Sequence, residues 1–219
     1  TDISNAIAAF MEFEWRSDTA PFDTILMGEG TLSIAAEKGL ELFYGVADCA
    51  SCHSGALLTD HGFHAMGQPQ LGPGKGARFE SHARDEGRFR VTGFEADKYA
   101  FRTPSLRNVE LTGPWGHAGA YSDLTAFVAA HIDPRAALAS YDRSGVILTK
   151  FDVADWRIMD DLVEVVAIAN AVDQEPVSLS KQEVAELVAF LGALTDTAAQ
   201  TGRLGVPKSV PSGLLVPSP

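Results

Sequence analysis

The sequence predicts an all-α fold interrupted by one long irregular region. Near both ends of the chain, apolar residues recur at the three- and four-residue spacing of amphipathic helices. Between these segments, from Ser54 to Ala100, the periodicity is lost and glycine and proline recur. A stretch of this length without secondary structure is uncommon in a compact domain and indicates loops around a functional site. With 219 residues, the chain is long enough to bury a sizeable core.

The first segment, from Ile3 to Trp15, predicts a packing helix. One helical face collects its apolar residues and is interrupted only at its end by a glutamate: Ile3, Ile7, Phe10, Met11 and Glu14. The stretch from Ser17 to Gly30 contains Pro21 and Gly28 and is predicted to be a loop.

A second helix is predicted from Ser33 to Tyr44. Leu40 and Phe43 fall on its inner side, and Gly45 is suited to end it. This helix therefore delivers the chain into the sequence Cys49-Ala50-Ser51-Cys52-His53.

The motif from Cys49 to His53 has the residues that covalent c-type haem attachment needs. Each cysteine adds to one vinyl group of the porphyrin, and the spacing brings the following histidine under the iron. We therefore interpret Cys49 and Cys52 as the thioether anchors of one haem c and His53 as an axial ligand.

Two other chemistries use a similar spacing of cysteines. A thioredoxin-like pair opens a helix after a strand, and no βαβ unit is predicted here. A zinc site needs a second pair of cysteine or histidine ligands, and Cys49 and Cys52 are the only cysteines in the chain. Haem attachment is therefore the favoured interpretation.

A third helix is predicted to begin at Ser122 or Asp123, both suitable N-caps, and to end near Ile132 before Asp133-Pro134. Its positions at apolar spacing are Leu124, Phe127, Val128 and His131. A neutral histidine on such a face is usually a hydrogen-bonded core residue. A haem in the same domain changes this expectation, because the sixth position of the iron must be filled by a side chain, water or substrate.

Two other side chains, His64 and Met66, lie in the irregular region and could reach an iron. Packing near a haem edge is the more ordinary role for both.

Two further helices are predicted before a C-terminal tail. The helix from about Trp156 to Ala171 has these residues suited to burial: Met159, Leu162, Val163, Val166 and Ala167. The last helix begins with a capping-box pattern at Ser180-Lys181-Gln182-Glu183. Its predicted core residues are Val184, Leu187, Val188, Leu191 and Leu194. Residues 1–200 are predicted to form the domain and residues 201–219 an extended Pro/Ser-rich tail.

Charge and composition limit the partners and the compartment. The net charge of −12 disfavours nucleic acid and anionic membranes and favours docking of a basic redox protein. No apolar run is long enough to span a bilayer, and the first residues lack the pattern of a secretory signal. Because haem is attached to such motifs outside the cytoplasm, we expect a periplasmic protein whose signal peptide is not in this chain.

Several motifs together resemble the C-terminal haem domain of the bacterial di-haem cytochrome c peroxidase and MauG family. They are Asn5–Phe10, Gly39–Phe43, Cys49–Gly55, Asp85–Arg88, Phe101–Val109, Leu111–Pro114, His117 and Glu186–Leu191. The resemblance is strongest in Phe101–Val109 and covers most of the chain up to about Thr197.

The resemblance implies a cytochrome c-like helical domain with long irregular loops around a covalently bound haem. The sixth iron ligand of the family, commonly methionine or tyrosine, falls at the position of His131. Imidazole in place of a thioether lowers the potential, so we expect a low-spin, bis-histidine haem. The resemblance also implies calcium bound through the backbone carbonyls of Thr112 and Pro114, and a structural role for His117.

The family carries out peroxide chemistry at a second haem, in an N-terminal domain. The chain is therefore expected to be the electron-transfer half of an oxidoreductase and, by itself, to transfer electrons only. The alternatives are a stand-alone mono-haem electron carrier and a sensor in which His131 is displaced. Expected partners are a small cytochrome or cupredoxin, a second haem domain, or a second copy of the chain. Arg102 and Arg107 are candidates for pairing with haem propionates.

Overall fold

The computed structural model describes residues 1–72, 84–147 and 155–216. The helices are α1 (Asp2–Glu14), α2 (Pro21–Leu26), α3 (Ile34–Tyr44), α4 (Phe89–Thr92), α5 (Leu124–Ile132), α6 (Pro134–Ala139), α7 (Arg157–Asp160), α8 (Leu162–Ala171), α9 (Lys181–Gly192) and α10 (Thr197–Thr201). Short 3-10 turns cover Cys49–Ser51, Glu95–Asp97, Val109–Leu111 and Arg143–Gly145. Strands β1 (Phe63–His64) and β2 (Phe101–Arg102) pair antiparallel, with Phe63 opposite Arg102. The predicted all-α class is confirmed.

The main core forms where α3 crosses α9. The ring of Phe190 on α9 meets the rings of Phe22 and Phe43 edge-on, with centroid distances of 5.2 and 5.1 Å. Leu187 and Leu194 are fully buried beside them. Burying this many large side chains against one another supplies most of the driving force that holds the two helices together.

The predicted ends of α3 and α9 are confirmed by their caps. The Ser33 hydroxyl accepts a hydrogen bond from the backbone N–H of Ala36, and Gly45 follows the last residue of α3. At α9, the Ser180 hydroxyl accepts from the N–H of Glu183, whose carboxylate accepts from the N–H of Ser180. These bonds satisfy backbone donors that have no partner within the helix.

Helix α5 also begins and ends as predicted. The Asp123 carboxylate accepts a hydrogen bond of 2.8 Å from the N–H of Ala126 and caps the helix. The following Asp133-Pro134 ends α5 and also starts α6, an element that the sequence analysis does not anticipate. Asp133 accepts from the N–H of Ala136, and Pro134 occupies the first helical position, where a missing N–H costs nothing.

Helix α1 has the predicted extent, but its apolar face is not packed. Ile3 and Ile7 are 78% and 55% exposed, whereas Glu14 is buried. The Glu14 carboxylate accepts hydrogen bonds from the backbone N–H groups of Leu204 and Gly205, at 2.6 and 3.3 Å. The helix is therefore held by polar contacts of its last residue, and the prediction of a packing helix is wrong for this chain.

The predicted loop from Ser17 to Gly30 contains α2. Pro21 acts as a helix starter, because it stands at the first position, and Asp23 accepts a hydrogen bond from the N–H of Ala20. The prediction treated this proline as a breaker, which is its role only inside a helix.

The predicted helix from Trp156 to Ala171 is broken at Asp161. This residue has an extended backbone, and its carboxylate accepts from the N–H of Val163, so it ends α7 and caps α8. Because of the break, α7 and α8 do not share the single buried face that one continuous helix would have. Met159 and Ile168 are buried, but three residues predicted to be buried are exposed: Leu162, Val163 and Val166.

The irregular region and the tail contain few regular elements. Pro73, Gly74 and Gly76 lie outside the described residues, and the described part of the region contains only β1, α4 and the turn at Glu95–Asp97. After α10, Arg203 Nη2 donates to the Asp18 carboxylate at 2.6 Å. Within the ranges given above, no helix combines the length and apolar character that crossing a membrane requires.

The α3–α9 crossing gives a prediction for Gly39→Ala. A β-carbon at Gly39 would overlap the backbone carbonyl of Glu186 and lie 2.8 Å from Cβ of Phe190. The helices would have to separate, so we expect a loss of about 1–3 kcal/mol in the free energy of unfolding. Gly145→Ala is the control, because no atom lies within 4 Å of its added β-carbon. Guanidinium unfolding of both variants with haem attached checks this, and equal midpoints would contradict it.

Candidate functional site

The two cysteines and His53 lie on and just after a 3-10 turn. Helix α3 leads into it through Gly45, and the turn covers Cys49–Ser51. The backbone N–H of His53 donates to the carbonyl of Cys49 at 2.9 Å, which fixes the residue that follows the turn. Both cysteines are free thiols and do not form a disulfide.

The thiol environment disfavours a thioredoxin-like pair. Burial raises the pKa of the Cys49 thiol to about 11, and burial also raises the pKa of Cys52. Reactive cysteines of exchange enzymes have a lowered pKa and stand at a helix N-terminus. Neither condition is met here. The pKa values of both thiols are raised, and the motif follows the end of α3 instead of beginning an α-helix.

His53 is fixed as a neutral imidazole with one free nitrogen. Its Nδ1 donates to the carbonyl of Leu58 at 3.1 Å, and Leu58 is itself buried. Burial lowers the pKa of His53 to about 4, with a smaller lowering from the charge of His131, so the ring is neutral at pH 7. The lone pair of a neutral ring then lies on Nε2, the atom that a metal requires.

His131 has the same arrangement on α5. Its Nδ1 donates to the carbonyl of Phe127 at 2.9 Å, and its ring meets the Phe127 ring edge-on at 4.5 Å. Burial lowers the pKa of His131 as well, so this imidazole is also neutral. His131 is also one of the smaller electrostatic causes that lower the pKa of His53, so the fold brings the two residues within electrostatic reach although they are far apart in sequence.

This donor set fits a haem iron. In the part of the chain that the structure describes, neither Nε2 of His53 nor Nε2 of His131 has a hydrogen-bond partner. Metal-bound histidines ordinarily donate their second ring N–H to a carbonyl or carboxylate, as both rings do here. The fold thus places a second imidazole beside the cysteine motif.

The His64 ring faces two carboxylates instead. Its Nε2 lies 2.9 Å from the carboxylate of Asp60, and its Nδ1 lies 3.8 Å from that of Asp173. The hydrogen bond with His64 lowers the pKa of Asp60 to about 2. Met66 is partly buried, and its carbonyl accepts from Gln68 at 3.2 Å. Both contacts agree with loop packing, the ordinary role.

Among the described residues, one group of acidic, cysteine or histidine side chains has metal-ligand spacing. It consists of Cys52, Asp60 and His64, with ligand atoms within 4.8 Å of one another. Thioether formation at Cys52 would remove the thiolate that a zinc ion needs. The group therefore competes with haem attachment for Cys52, and its single histidine does not supply the second pair of cysteine or histidine ligands that the zinc alternative needs.

The other polar residues singled out by the sequence have structural contacts. His117 Nε2 lies 2.9 Å from the carboxylate of buried Asp85, and its ring stacks on Phe101 at 3.5 Å. Arg107 Nη1 donates to both carboxylate oxygens of Asp23 at 2.6 Å, so its guanidinium is committed to an ion pair. Arg102 is exposed and contacts His61 Nδ1 at 3.2 Å.

Thr112 and Pro114 flank a tight turn. Thr112 follows the 3-10 turn Val109–Leu111, and its hydroxyl donates to the carbonyl of Val109 at 3.1 Å. Pro114 follows a cis peptide bond. Calcium binding by the two carbonyls stays a prediction.

Sequence reasoning missed the two carbonyls that orient the imidazoles. The Phe127 carbonyl stands four residues before His131, so helical spacing alone could have identified it. Leu58 offers no such signal, because a left-handed backbone at this residue (φ 51°) belongs to an irregular loop.

Relatives of the chain are named as MauG proteins and cytochrome c peroxidases. No family model matches it. It is 38% identical to methylamine utilization protein MauG of Methylorubrum extorquens over half of this chain and 29% of that protein. It is 39% identical to cytochrome c peroxidase Ccp of Escherichia coli over 54% of this chain and 24% of that protein. The cytochrome-c peroxidase IdrP1 of Denitromonas iodatirespirans is 30% identical over 88% of this chain and 49% of its own length.

Solved structures share the fold. A MauG-like protein associated with microbial copper homeostasis aligns with a TM-score of 0.56 at 27% identity, over 83% of this chain and 49% of the other. The di-haem peroxidase BthA of Burkholderia thailandensis aligns with a TM-score of 0.57 at 21% identity, which shows the fold alone. The chain spans about half the length of these proteins or less.

The chain therefore has the all-α fold of a MauG-like protein and of a di-haem peroxidase. It is homologous to the bacterial di-haem cytochrome c peroxidase and MauG family, which confirms the resemblance of its motifs.

The lowered imidazole pKa values give a pH prediction. Because the fold keeps His53 neutral down to about pH 4, protons compete with iron only well below the ordinary histidine pKa of 6.5. We expect the low-spin visible spectrum of the haem-loaded protein to persist from pH 7 to about pH 5. As a control, His131→Gly supplied with just enough free imidazole to saturate the iron at about pH 8 should lose its low-spin spectrum at a higher pH than the unaltered protein. A transition of the unaltered protein centred near pH 6.5 would contradict the prediction.

Proposed function

We propose that this chain is the electron-transfer domain of a di-haem cytochrome c peroxidase- or MauG-like oxidoreductase and carries one haem c. Cys49 and Cys52 would form the thioethers, and His53 and His131 would ligate the iron. The observation that supports this most directly is the pair of neighbouring neutral imidazoles. In each ring, Nδ1–H donates a hydrogen bond to a backbone carbonyl, so the lone pair of the ring lies on Nε2.

The chain's own residues suit electron transfer better than peroxide chemistry. When bound, haem supplies one-electron exchange at its iron. The Leu58 and Phe127 carbonyls fix the two imidazoles, so the ligands need little rearrangement when the oxidation state changes. If His53 and His131 both hold the iron, no coordination position would be open to peroxide. The electrons would therefore pass to or from a peroxidatic haem in an N-terminal domain.

The proposal extends to location and partners. Covalent haem attachment implies the periplasm, and the net charge of −12 favours a basic redox partner such as a small cytochrome or a cupredoxin. A homodimer, and calcium at Thr112 and Pro114, belong to the same proposal by analogy with the family.

Substitution of His131 tests the ligand set. Loss of the imidazole in His131→Gly should convert the low-spin haem to high-spin. His131→Met should stay low-spin with a higher potential, because a thioether favours the reduced iron. Visible and electron paramagnetic resonance spectra, with a redox titration, measure both effects.

His64→Gly is the matched control for this experiment, because the His64 ring lies close to Cys52 and has contacts with carboxylates. It should leave the low-spin spectrum unchanged. If His64→Gly gives a high-spin haem and His131→Gly does not, the ligand assignment is wrong.

Intact mass distinguishes this domain from the alternative, a stand-alone mono-haem electron carrier. We expect the native gene product to be about twice as long as this chain, like the matched relatives, and to carry two haems. One haem on a chain of this length would instead support the carrier.

A further inference from the structure

A continuous series of aromatic rings leads away from His131. Its ring meets Phe127 at 4.5 Å, and Phe127 meets Tyr121 at 5.3 Å. Tyr121 then meets Tyr141 at 5.4 Å, and Tyr141 meets Trp156 at 5.9 Å. The series joins α5, the turn just before it, the segment that follows α6 and the residue that precedes α7.

The rings of this series are held firmly. The Tyr141 hydroxyl donates to the carbonyl of Ala120 at 2.5 Å. Tyr121 is buried, and its backbone exchanges two hydrogen bonds with that of Trp115, at 2.8 and 3.1 Å. Fixed contacts between rings keep their π-systems in constant proximity, which favours electron tunnelling across them.

The outer end of the series is partly exposed. Trp156 has intermediate exposure, and the Arg143 guanidinium lies 5.0 Å from its ring centroid. A cation beside the ring would make the indole harder to oxidise. Arg143 is itself paired with Asp160 at 2.7 Å, and this carboxylate offsets much of that effect.

We propose that these rings conduct single electrons between the haem ligated by His131 and a one-electron redox partner that docks over Trp156. This inference rests on the proposed function, because it needs an iron at His131. It adds the place on the surface where electrons enter or leave.

The electron transfer step is balanced without bond changes. In the outward direction, the iron would give up one electron and an oxidised one-electron partner at the surface would accept it. The Trp156 indole bridges the two without being oxidised itself, because such a partner is too weak an oxidant to remove an electron from indole. Tyr121, Tyr141 and Phe127 act as bridging rings. Tyr141 keeps its proton, because the Ala120 carbonyl that it faces is too weak a base to take it.

A photochemical experiment tests the route. Arg157→Cys places a single free thiol next to Trp156, because the two native thiols are used by the haem and the Arg157 side chain is 67% exposed. A ruthenium polypyridyl label on this thiol is oxidised by a flash and an external electron acceptor, and oxidation of the ferrous haem is then followed by absorbance. Tyr141→Leu in this labelled protein should slow haem oxidation by about an order of magnitude.

Two further variants give the comparison. Tyr141→Phe retains the ring and should oxidise within about threefold of the parent rate. Tyr44→Leu makes the same change in an exposed tyrosine whose ring contact is with Phe43, outside the series, and should also leave the rate unchanged. A Tyr141→Leu rate equal to the parent, or equal slowing by Leu and Phe, would overturn the proposal.

The starting spectrum separates this inference from the proposed function. If the ferrous, labelled protein shows no low-spin haem that depends on His131, the proposed function has failed. If that spectrum is intact in Tyr141→Leu and the rate is unchanged, only the aromatic route has failed.

Discussion

The close crossing of α3 and α9 at Gly39 positions the rest of the domain. Because Gly39 has no side chain, the backbone of α3 can approach the Glu186 carbonyl of α9 directly. Helix α3 ends at the turn that carries Cys49, Cys52 and His53, and α9 also packs against α5, which carries His131. The contacts of α9 with α3 and with α5 therefore together position two imidazoles that are far apart in the sequence.

The site depends on burial as much as on residue type. Burial of His53 and His131 keeps both rings neutral, and the carbonyls of Leu58 and Phe127 decide which nitrogen is free. The same burial raises the pKa of Cys49, which separates this motif from a thiol-exchange pair with the same spacing. The environment thus disfavours thiol exchange, which is one of several chemistries that the residue types of the motif permit.

The places where periodicity predicts burial wrongly are at the edge of the domain. The apolar faces of α1 and α8, with Ile3 and Leu162 as examples, are exposed in this chain. A helical pattern states that a face is apolar, but burial also requires another element to cover it. The apolar pattern predicts one continuous helix across Asp161, but the structure has two. The Asp161 carboxylate accepts a hydrogen bond from a backbone N–H at the start of α8, so this N–H needs no carbonyl from a preceding helical turn.

The sequence by itself determined the all-α class, the attachment motif, the caps of α3, α5 and α9, and His131 as a candidate ligand. These features depend on neighbours within a few residues, where spacing and capping chemistry decide the outcome. Only the tertiary structure decided that Arg107 pairs with Asp23, that Leu58 orients His53, and that aromatic rings connect His131 to Trp156. Such contacts form between residues that tertiary packing brings together. The local pattern of side chains does not predict which parts of the chain will pack against each other.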